Sequence, residues 1–409
     1  MYICLFIFKG EMVMKKMKNS VKCLIAFFAM ATAFCTTGVT AKAAVTLQQV
    51  KADVDSVKVQ WTQQAGVKYY GCQIATDTTF NNPIESFAWS SSYTEMNFNS
   101  LNAGSTYYVK VGCGSDKNNC YSNDTTVLEV VTAPAKTTAV KFVGADDTTA
   151  TIAYDACAGA TGYDIQYNKA VIGSTVDTTY KVAVIDGASS SVYVYPYRTS
   201  TSGFKAVGDG NYCGDISKLT TTISKDNFGI VDALTNINVF YFAAVGYGNG
   251  VDLEAVPVNG KGNVVNITGS LNSTYSLRSD NQITKGTMYK YRVRAYVTTT
   301  DNQKVYGNWS DYRYLINTKD SKYSSSGKKI KLKWGKLKGV TKVKVQIATS
   351  ENGKYKTCKV LSSKKRAYNI TKCGKKPLKR GKKYWVKITY QTKGGTSDVY
   401  GVASGVTVR

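Results

Sequence analysis

The chain has 409 residues, a formal net charge of +26 and no histidine. The missing histidine excludes His-ligated zinc and nucleophile–base pairs of the Ser-His or Cys-His type. Thirty tyrosines, only five prolines and little helical periodicity are typical of an all-β protein.

The N-terminus has the pattern of an export signal. A lysine-rich stretch precedes an apolar run at residues 23–34, and an A-x-A cleavage sequence follows at 41–43. The run is shorter than the roughly 20 residues that a membrane-spanning helix needs. We therefore expect residues 1–43 to be a signal peptide, with the true start at Met14 or Met17. The rest is expected to be secreted by a Gram-positive bacterium, without a transmembrane segment and with any attachment to the cell surface non-covalent.

A strand pattern that ends in an aromatic residue recurs along the chain. These aromatic residues are Trp61, Tyr154, Tyr241 and Trp334. They lie 93, 87 and 93 residues apart, so the repeat has the length of a small domain rather than of a solenoid turn. Nine residues after three of them a second alternating strand begins, at Tyr70, Tyr163 and Val343.

A third motif, L/I-x-x-G-x-x-Y, precedes another alternating strand in three of the four units. Its glycine and tyrosine are Gly104 and Tyr107, Gly286 and Tyr289, and Gly381 and Tyr384. The glycine permits a tight turn, and the tyrosine hydroxyl can form a hydrogen bond with the backbone, as in the tyrosine corner of β-sandwiches. The second unit lacks the corner tyrosine, and Val192, Val194 and Tyr195 predict its strand.

On these motifs the chain resembles the fibronectin type III family over nearly all of residues 44–409. The resemblance implies an all-β fold, a tandem array of four immunoglobulin-like β-sandwiches that act as spacers or binding platforms. The expected units are 44–134, a degenerate second unit at 135–224, 225–318 and a Lys-rich fourth unit at 319–409.

The fourth unit carries nearly all of the net charge. Residues 319–409 contain 26 Lys and Arg against three acids, whereas residues 44–318 contain 21 against 23. The lysines alternate with apolar residues, which predicts outward-facing lysines on both sheets. The candidate binding residues are Lys331, Lys333, Lys342, Lys344, Lys383, Trp385 and Lys387. Only three of the 26 cations are arginines, so we expect diffuse, salt-sensitive attraction rather than bidentate recognition.

Two explanations of the lysines remain open. They can contact a polyanion, for which teichoic acid of the cell wall, another polyanionic glycan and extracellular DNA are candidates. They can also simply keep the surface soluble. Trp385 is expected on the outward side of its strand, between Lys383 and Lys387 and across from Lys344. There it would stack on a sugar ring, or else cover a lysine stem or an interdomain contact.

Seven cysteines follow residue 43, in a pattern that fits no metal site. We expect Cys72 to be a buried free thiol and Cys113 and Cys120 to flank a hairpin. Two pairs could form disulfides: Cys157 with Cys213, and Cys358 with Cys373.

No catalytic residue, cofactor or metal is expected. The neighbouring carboxylates Asp146 and Asp147, and Asp252 and Glu254, are of a kind usually found solvated on surfaces. The expected function is that of a secreted, non-catalytic spacer or binding protein whose cationic C-terminal unit associates with anionic cell-envelope polymer. The alternatives are an adhesin or carbohydrate-binding accessory protein for host or dietary glycans, and a non-catalytic subunit of an enzyme. The first three units would space the fourth or bind a protein partner.

Overall fold

A computed structural model gives the fold of most of the chain. It describes residues 45–122, 125–185, 191–232, 239–242, 248–270, 276–278, 282–317, 322–398 and 405–409. The predicted signal peptide lies outside these residues. Within them there is no helix that is long and apolar enough to cross a membrane.

The first unit is a sandwich of two antiparallel sheets. Its strands are β1 Leu47–Ala52, β2 Val57–Trp61, β3 Tyr69–Ala75, β4 Glu85–Ser90, β5 Glu95–Phe98, β6 Thr106–Gly114 and β7 Thr126–Val131. One sheet has the order β1-β2-β5 and the other the order β4-β3-β6-β7. Side chains that alternate along each strand form the core. On β2, for example, Val57, Val59 and Trp61 are buried while the side chains between them point outward.

The second and third units repeat this topology, with the last strand divided in two. The second unit has β8 Lys141–Ala145, β9 Thr149–Ala153, β10 Gly162–Tyr167, β11 Ala170–Thr175, β12 Thr179–Ala183, β13 Ser191–Thr199, β14 Lys205–Val207 and β15 Asn211–Asp215. The third has β16 Phe228–Asp232, β17 Val239–Phe242, β18 Gly250–Pro257, β19 Val265–Ser270, β20 Ser276–Arg278, β21 Met288–Thr298, β22 Lys304–Tyr306 and β23 Arg313–Ile316. Strand β13 contains the predicted Val192, Val194 and Tyr195.

The fourth unit has the same topology with one added hairpin. Its strands are β24 Lys322–Ser326, β25 Lys329–Lys333, β26 Lys342–Ala348, β27 Lys356–Ser362, β28 Ala367–Ile370, β29 Lys372–Cys373, β30 Lys376–Pro377, β31 Lys383–Gln391 and β32 Val406–Thr407. The two main sheets have the orders β24-β25-β28 and β27-β26-β31-β32. The structure thus confirms an all-β fold of four fibronectin type III-like sandwiches in tandem.

The predicted tyrosine corners are present in the three units that contain the motif. The hydroxyl of Tyr107 accepts a hydrogen bond from the Asn102 N–H at 2.9 Å, and that of Tyr384 accepts one from the Lys379 N–H at 3.1 Å. In the third unit the Tyr289 hydroxyl accepts from the Thr284 N–H at 3.3 Å. Each hydroxyl thereby fixes the turn that leads into the following long strand, which is β6, β21 or β31.

The corner glycines of the first and third units also lie against the next unit. A Cβ added to Gly104 would lie 2.6 Å from the carbonyl oxygen of Ala158, and one added to Gly286 would lie 2.2 Å from that of Lys336. Ala158 and Lys336 belong to the loop between the second and third strands of the following unit. The matching Gly381 has open space instead. Glycine is therefore needed at two corners for close approach as well as for its positive φ.

A half-buried ion pair joins the third and fourth units. Arg313 donates from Nε to the Asp398 carboxylate at 3.0 Å, and the two side chains are only 25% and 20% exposed. Tyr291 donates its hydroxyl proton to the same carboxylate, and the Asp398 N–H donates to the Tyr314 carbonyl at 2.7 Å. Removing one partner of such a pair leaves the other uncompensated, so this contact should fix the position of the fourth unit.

The two corner glycines Gly286 and Gly381 provide a matched test of the junction contact. Gly381→Ala should lower the free energy of unfolding by about 1–2 kcal/mol through backbone strain alone, because φ is +77° and no atom is near. Gly286→Ala has a similar φ of +70° and should cost clearly more, because its Cβ meets the Lys336 carbonyl. Scanning calorimetry of the two variants measures the difference, and equal shifts in melting temperature would contradict the junction contact.

Candidate polyanion-binding surfaces of the fourth unit

One cationic surface lies on the outer side of the three-stranded sheet. We call it the β25 face, and it comprises Lys322, Lys329, Lys331 and Lys333. Ile330 and Leu332 between them are buried, so all four lysines point away from the core. Lys322 pairs directly with Lys333 across the two strands. Like charges directly opposite each other destabilise a sheet, so this face stores repulsion that an anion would relieve.

A second cationic surface lies on the outer side of the opposite sheet. We call it the β31 face, and it comprises Lys342, Lys344, Lys383 and Lys387. The alternate residues Val343, Val345, Val386 and Ile388 are buried. Because packed sheets lie roughly 10 Å apart with their inner faces together, the two lysine faces point in opposite directions.

Trp385 lies on the β31 face, but the predicted pairing with Lys344 is wrong. The register places Trp385 opposite Ala348, and Lys344 opposite Thr389. Sequence alternation gives the side of a strand, whereas the offset between β26 and β31, which are not consecutive in the chain, depends on how the whole sandwich packs. Trp385 is half-buried, and the ammonium of Lys383 lies 5.3 Å from the centre of its ring. The ring therefore packs against the side chain of a lysine on its own strand.

The lysines of the fourth unit have no carboxylate partner among the residues that the structure describes. None of the salt bridges there contains a Lys or Arg from this unit. Its Asp398 is engaged by Arg313 of the third unit. The third unit differs, because Arg292 pairs with Glu254 at 2.8 Å and Arg294 with Asp252 at 3.3 Å. Within the described residues, the positive charge of the fourth unit is thus not neutralised by ion pairs.

The carboxylate pairs noted in the sequence have structural partners. Asp146 accepts hydrogen bonds from the N–H groups of Thr148 and Thr149, which lowers its pKa below the usual range. Asp147 accepts one from the Thr221 N–H at 2.9 Å. Asp252 and Glu254 form the ion pairs with arginine given above. Each of these carboxylates therefore has a structural partner, either a backbone N–H group or an arginine side chain.

All seven cysteines after residue 43 are free thiols in the structure, so neither of the two disulfides considered from the sequence is formed. The Cys157 thiol donates to the Ala135 carbonyl at 3.0 Å. Burial raises the pKa of Cys213 to about 12 and that of Cys358 to about 11, the latter with a smaller contribution from nearby Cys373. These thiols are almost entirely protonated at neutral pH, which makes them poor nucleophiles.

In the described part of the chain no cluster of three or more Cys, Asp or Glu residues could hold a metal ion.

An exposed aromatic cluster in the first unit is absent from the sequence-based candidates. Trp89 lies on β4 at the edge of its sheet, and Tyr93 follows in the next turn. The sequence signal for this cluster is a tryptophan followed by three serines, in a strand that lies at the edge of the sheet. Pattern alone does not separate it from a core aromatic, because β4 alternates as core strands do.

Comparison with known proteins finds matches among solved structures alone. No family model matches the chain, and no curated protein matches it. The crystal structure of the FN1–FN3 domains of chicken contactin (CNTN1) aligns with 89% of this chain and 97% of that chain, at 10% sequence identity and a TM-score of 0.20. The fold assignment rests instead on the strand order, which is the same in all four units.

The opposed lysines of the β25 face give a test of stored repulsion. Lys322→Glu should form a cross-strand ion pair with Lys333 and raise the free energy of unfolding by about 0.5 kcal/mol relative to Lys322→Gln. The difference should vanish in about 1 M NaCl, where the screening length is roughly 3 Å. Urea midpoints of both variants at low and high salt measure it. A Glu variant no more stable than the Gln variant at low salt would contradict the repulsion.

Proposed function

We propose that the chain is a non-catalytic, secreted protein whose fourth unit binds anionic cell-envelope polymer such as teichoic acid. The observation that carries the proposal is the pair of opposed lysine faces, which have no carboxylate partners among the residues that the structure describes. The first three units space the fourth or present a surface to a protein partner. The strand order supports this role, because sandwiches of this kind act mainly as spacers and binding platforms.

The attraction is electrostatic and delocalised. Each lysine ammonium is a compact point charge on a flexible stem, which follows a string of phosphates without fixing one geometry. Binding releases the counterions condensed on the polymer, so affinity falls steeply with salt concentration. Two opposed faces can engage two polymer strands, or one strand that wraps around the unit.

Stacking of a sugar on Trp385 has less support. The Lys383 ammonium lies over its ring, and the half-buried indole packs along its own strand. A neutral glycan would have to displace that lysine. Charge is therefore the stronger basis for recognition by this unit.

Three variants with the same net charge test the lysine faces. One replaces the four lysines of the β25 face by Gln, and one the four lysines of the β31 face. The control replaces four exposed loop lysines of the same unit: Lys354, Lys364, Lys375 and Lys379. Binding is measured by sedimentation with purified cell walls, with and without teichoic acid, over a series of NaCl concentrations.

We expect each face variant to lose about tenfold or more in affinity and to show a shallower salt dependence, with the loop variant affected less. Residues 44–318 alone should not sediment with the walls. Equal binding by residues 44–318 and 319–409, or unchanged binding to walls stripped of teichoic acid, would contradict the proposal.

Trp385→Ala separates charge from stacking. The variant should keep its wall binding within about twofold and keep the steep salt slope, because the lysines remain. Its melting temperature should fall, because the indole packs beneath Lys383. Loss of binding that persists at high salt would instead assign Trp385 to sugar stacking.

A further inference from the structure

We propose that the first unit carries a separate site for neutral glycans. The site is the edge cluster, formed by Phe87, Trp89 and Tyr93 on β4 and the turn that follows it. It lies in a different unit from the lysine faces and uses no lysine from them. The inference is therefore independent of polyanion binding by the fourth unit.

The rings of the edge cluster lie side by side. Phe87 and Trp89 are two residues apart and so project from the same side of β4. Their ring centres are 6.2 Å apart with planes at 17°, and those of Trp89 and Tyr93 are 5.6 Å apart at 45°. The inner ring, Phe87, packs against the core, which anchors the cluster.

Hydrogen bonds hold the turn that positions the outer rings. The Tyr93 N–H donates to the Ser90 carbonyl at 3.0 Å, and the Ser91 N–H donates to the Lys68 carbonyl at 2.9 Å. The Gln63 amide donates to the Ser91 carbonyl at 3.2 Å. The aromatic pair therefore stands on a fixed backbone, which reduces the entropy lost when a ligand binds.

The outer rings are unusually exposed for their size. Trp89 is 42% and Tyr93 56% exposed, whereas Trp61 and Trp334 are each only 3% exposed. A single exposed ring needs no explanation, but two adjacent rings form a contiguous apolar patch of the kind found at binding sites. β4 is also an edge strand, and within the described ranges no further strand pairs with its free edge.

The chemistry of the patch suits a sugar and needs no charge. A pyranose presents an apolar C–H face, which stacks on aromatic rings, and hydroxyl groups, which hydrogen-bond with polar side chains. Ser90 and Ser92 lie in the chain between Trp89 and Tyr93, and their exposed hydroxyls are 3.4 Å from each other. Glu95, two residues after Tyr93, is paired with Lys58 at 2.8 Å. Recognition of a sugar here would therefore rest on stacking and hydrogen bonds.

The test uses the full chain in about 0.5 M NaCl, where polyanion binding is suppressed. Four insoluble neutral polysaccharides serve as probes in pull-down assays: cellulose, chitin, β-1,3-glucan and β-mannan. The variants are Trp89→Ala, Tyr93→Ala and the conservative Trp89→Phe. The matched control is Tyr323→Ala, which removes a comparably exposed aromatic residue from the fourth unit. Calorimetry confirms that each variant is folded.

We expect retention of the wild-type chain on at least one of these polysaccharides. Trp89→Ala and Tyr93→Ala should weaken retention by about tenfold, in line with the loss of one aromatic–sugar contact, while Trp89→Phe recovers part of it. Tyr323→Ala and the two lysine-face variants should bind as the wild type does. Retention on none of the four, or retention unaffected by Trp89→Ala, would overturn the proposal. Binding of an apolar peptide that depends on Trp89, without glycan retention, would also overturn it.

Discussion

The turn before β6, β21 and β31, where a left-handed glycine is followed three residues later by a buried tyrosine, organises both the single sandwich and the array. Within a unit, the tyrosine hydroxyl binds the backbone of the turn and fixes where β6, β21 or β31 enters the sheet. Between units, the same glycine admits a loop of the next unit, as Gly104 does for Ala158 and Gly286 for Lys336. In the first and third units, one local conformation therefore couples the core to the orientation of the next unit.

The chemistry of the fourth unit follows from that rigid framework. Alternation places Ile330 and Leu332 in the core and leaves Lys331 and Lys333 outside. The strand that contributes these apolar residues to the core therefore also arranges its lysines in a row on the outer surface. In the third unit the equivalent outer sheet neutralises Arg292 and Arg294 with its own carboxylates and aromatic rings. The two units share a backbone plan and differ in whether charge is satisfied internally. The described outer surface of the fourth unit therefore carries a row of unpaired lysines where that of the third unit carries ion pairs.

Much of the fold could be predicted from the sequence, because period-two alternation and the glycine–tyrosine motif are local signals. The same signals placed the lysines on outer faces. The pairing of Trp385 with Lys344 was wrong because β26 and β31 are separated in the chain by four strands, so their register depends on how the sandwich packs and not on sequence spacing. The edge cluster was not predicted from the sequence, for a related reason. Phe87 and Trp89 alternate as core residues do, and only the position of β4 at the sheet edge exposes Trp89.

The two lysine faces contain lysine and no arginine, which has a consequence for movement. A guanidinium fork would hold one phosphate in a defined geometry, whereas ammonium groups on long stems exchange phosphates one at a time. Neighbouring lysines can keep hold of a polymer while one contact breaks and re-forms further along. A protein retained in this way would diffuse laterally along its polymer without being released from it. Retention and mobility would then be two aspects of the same contact.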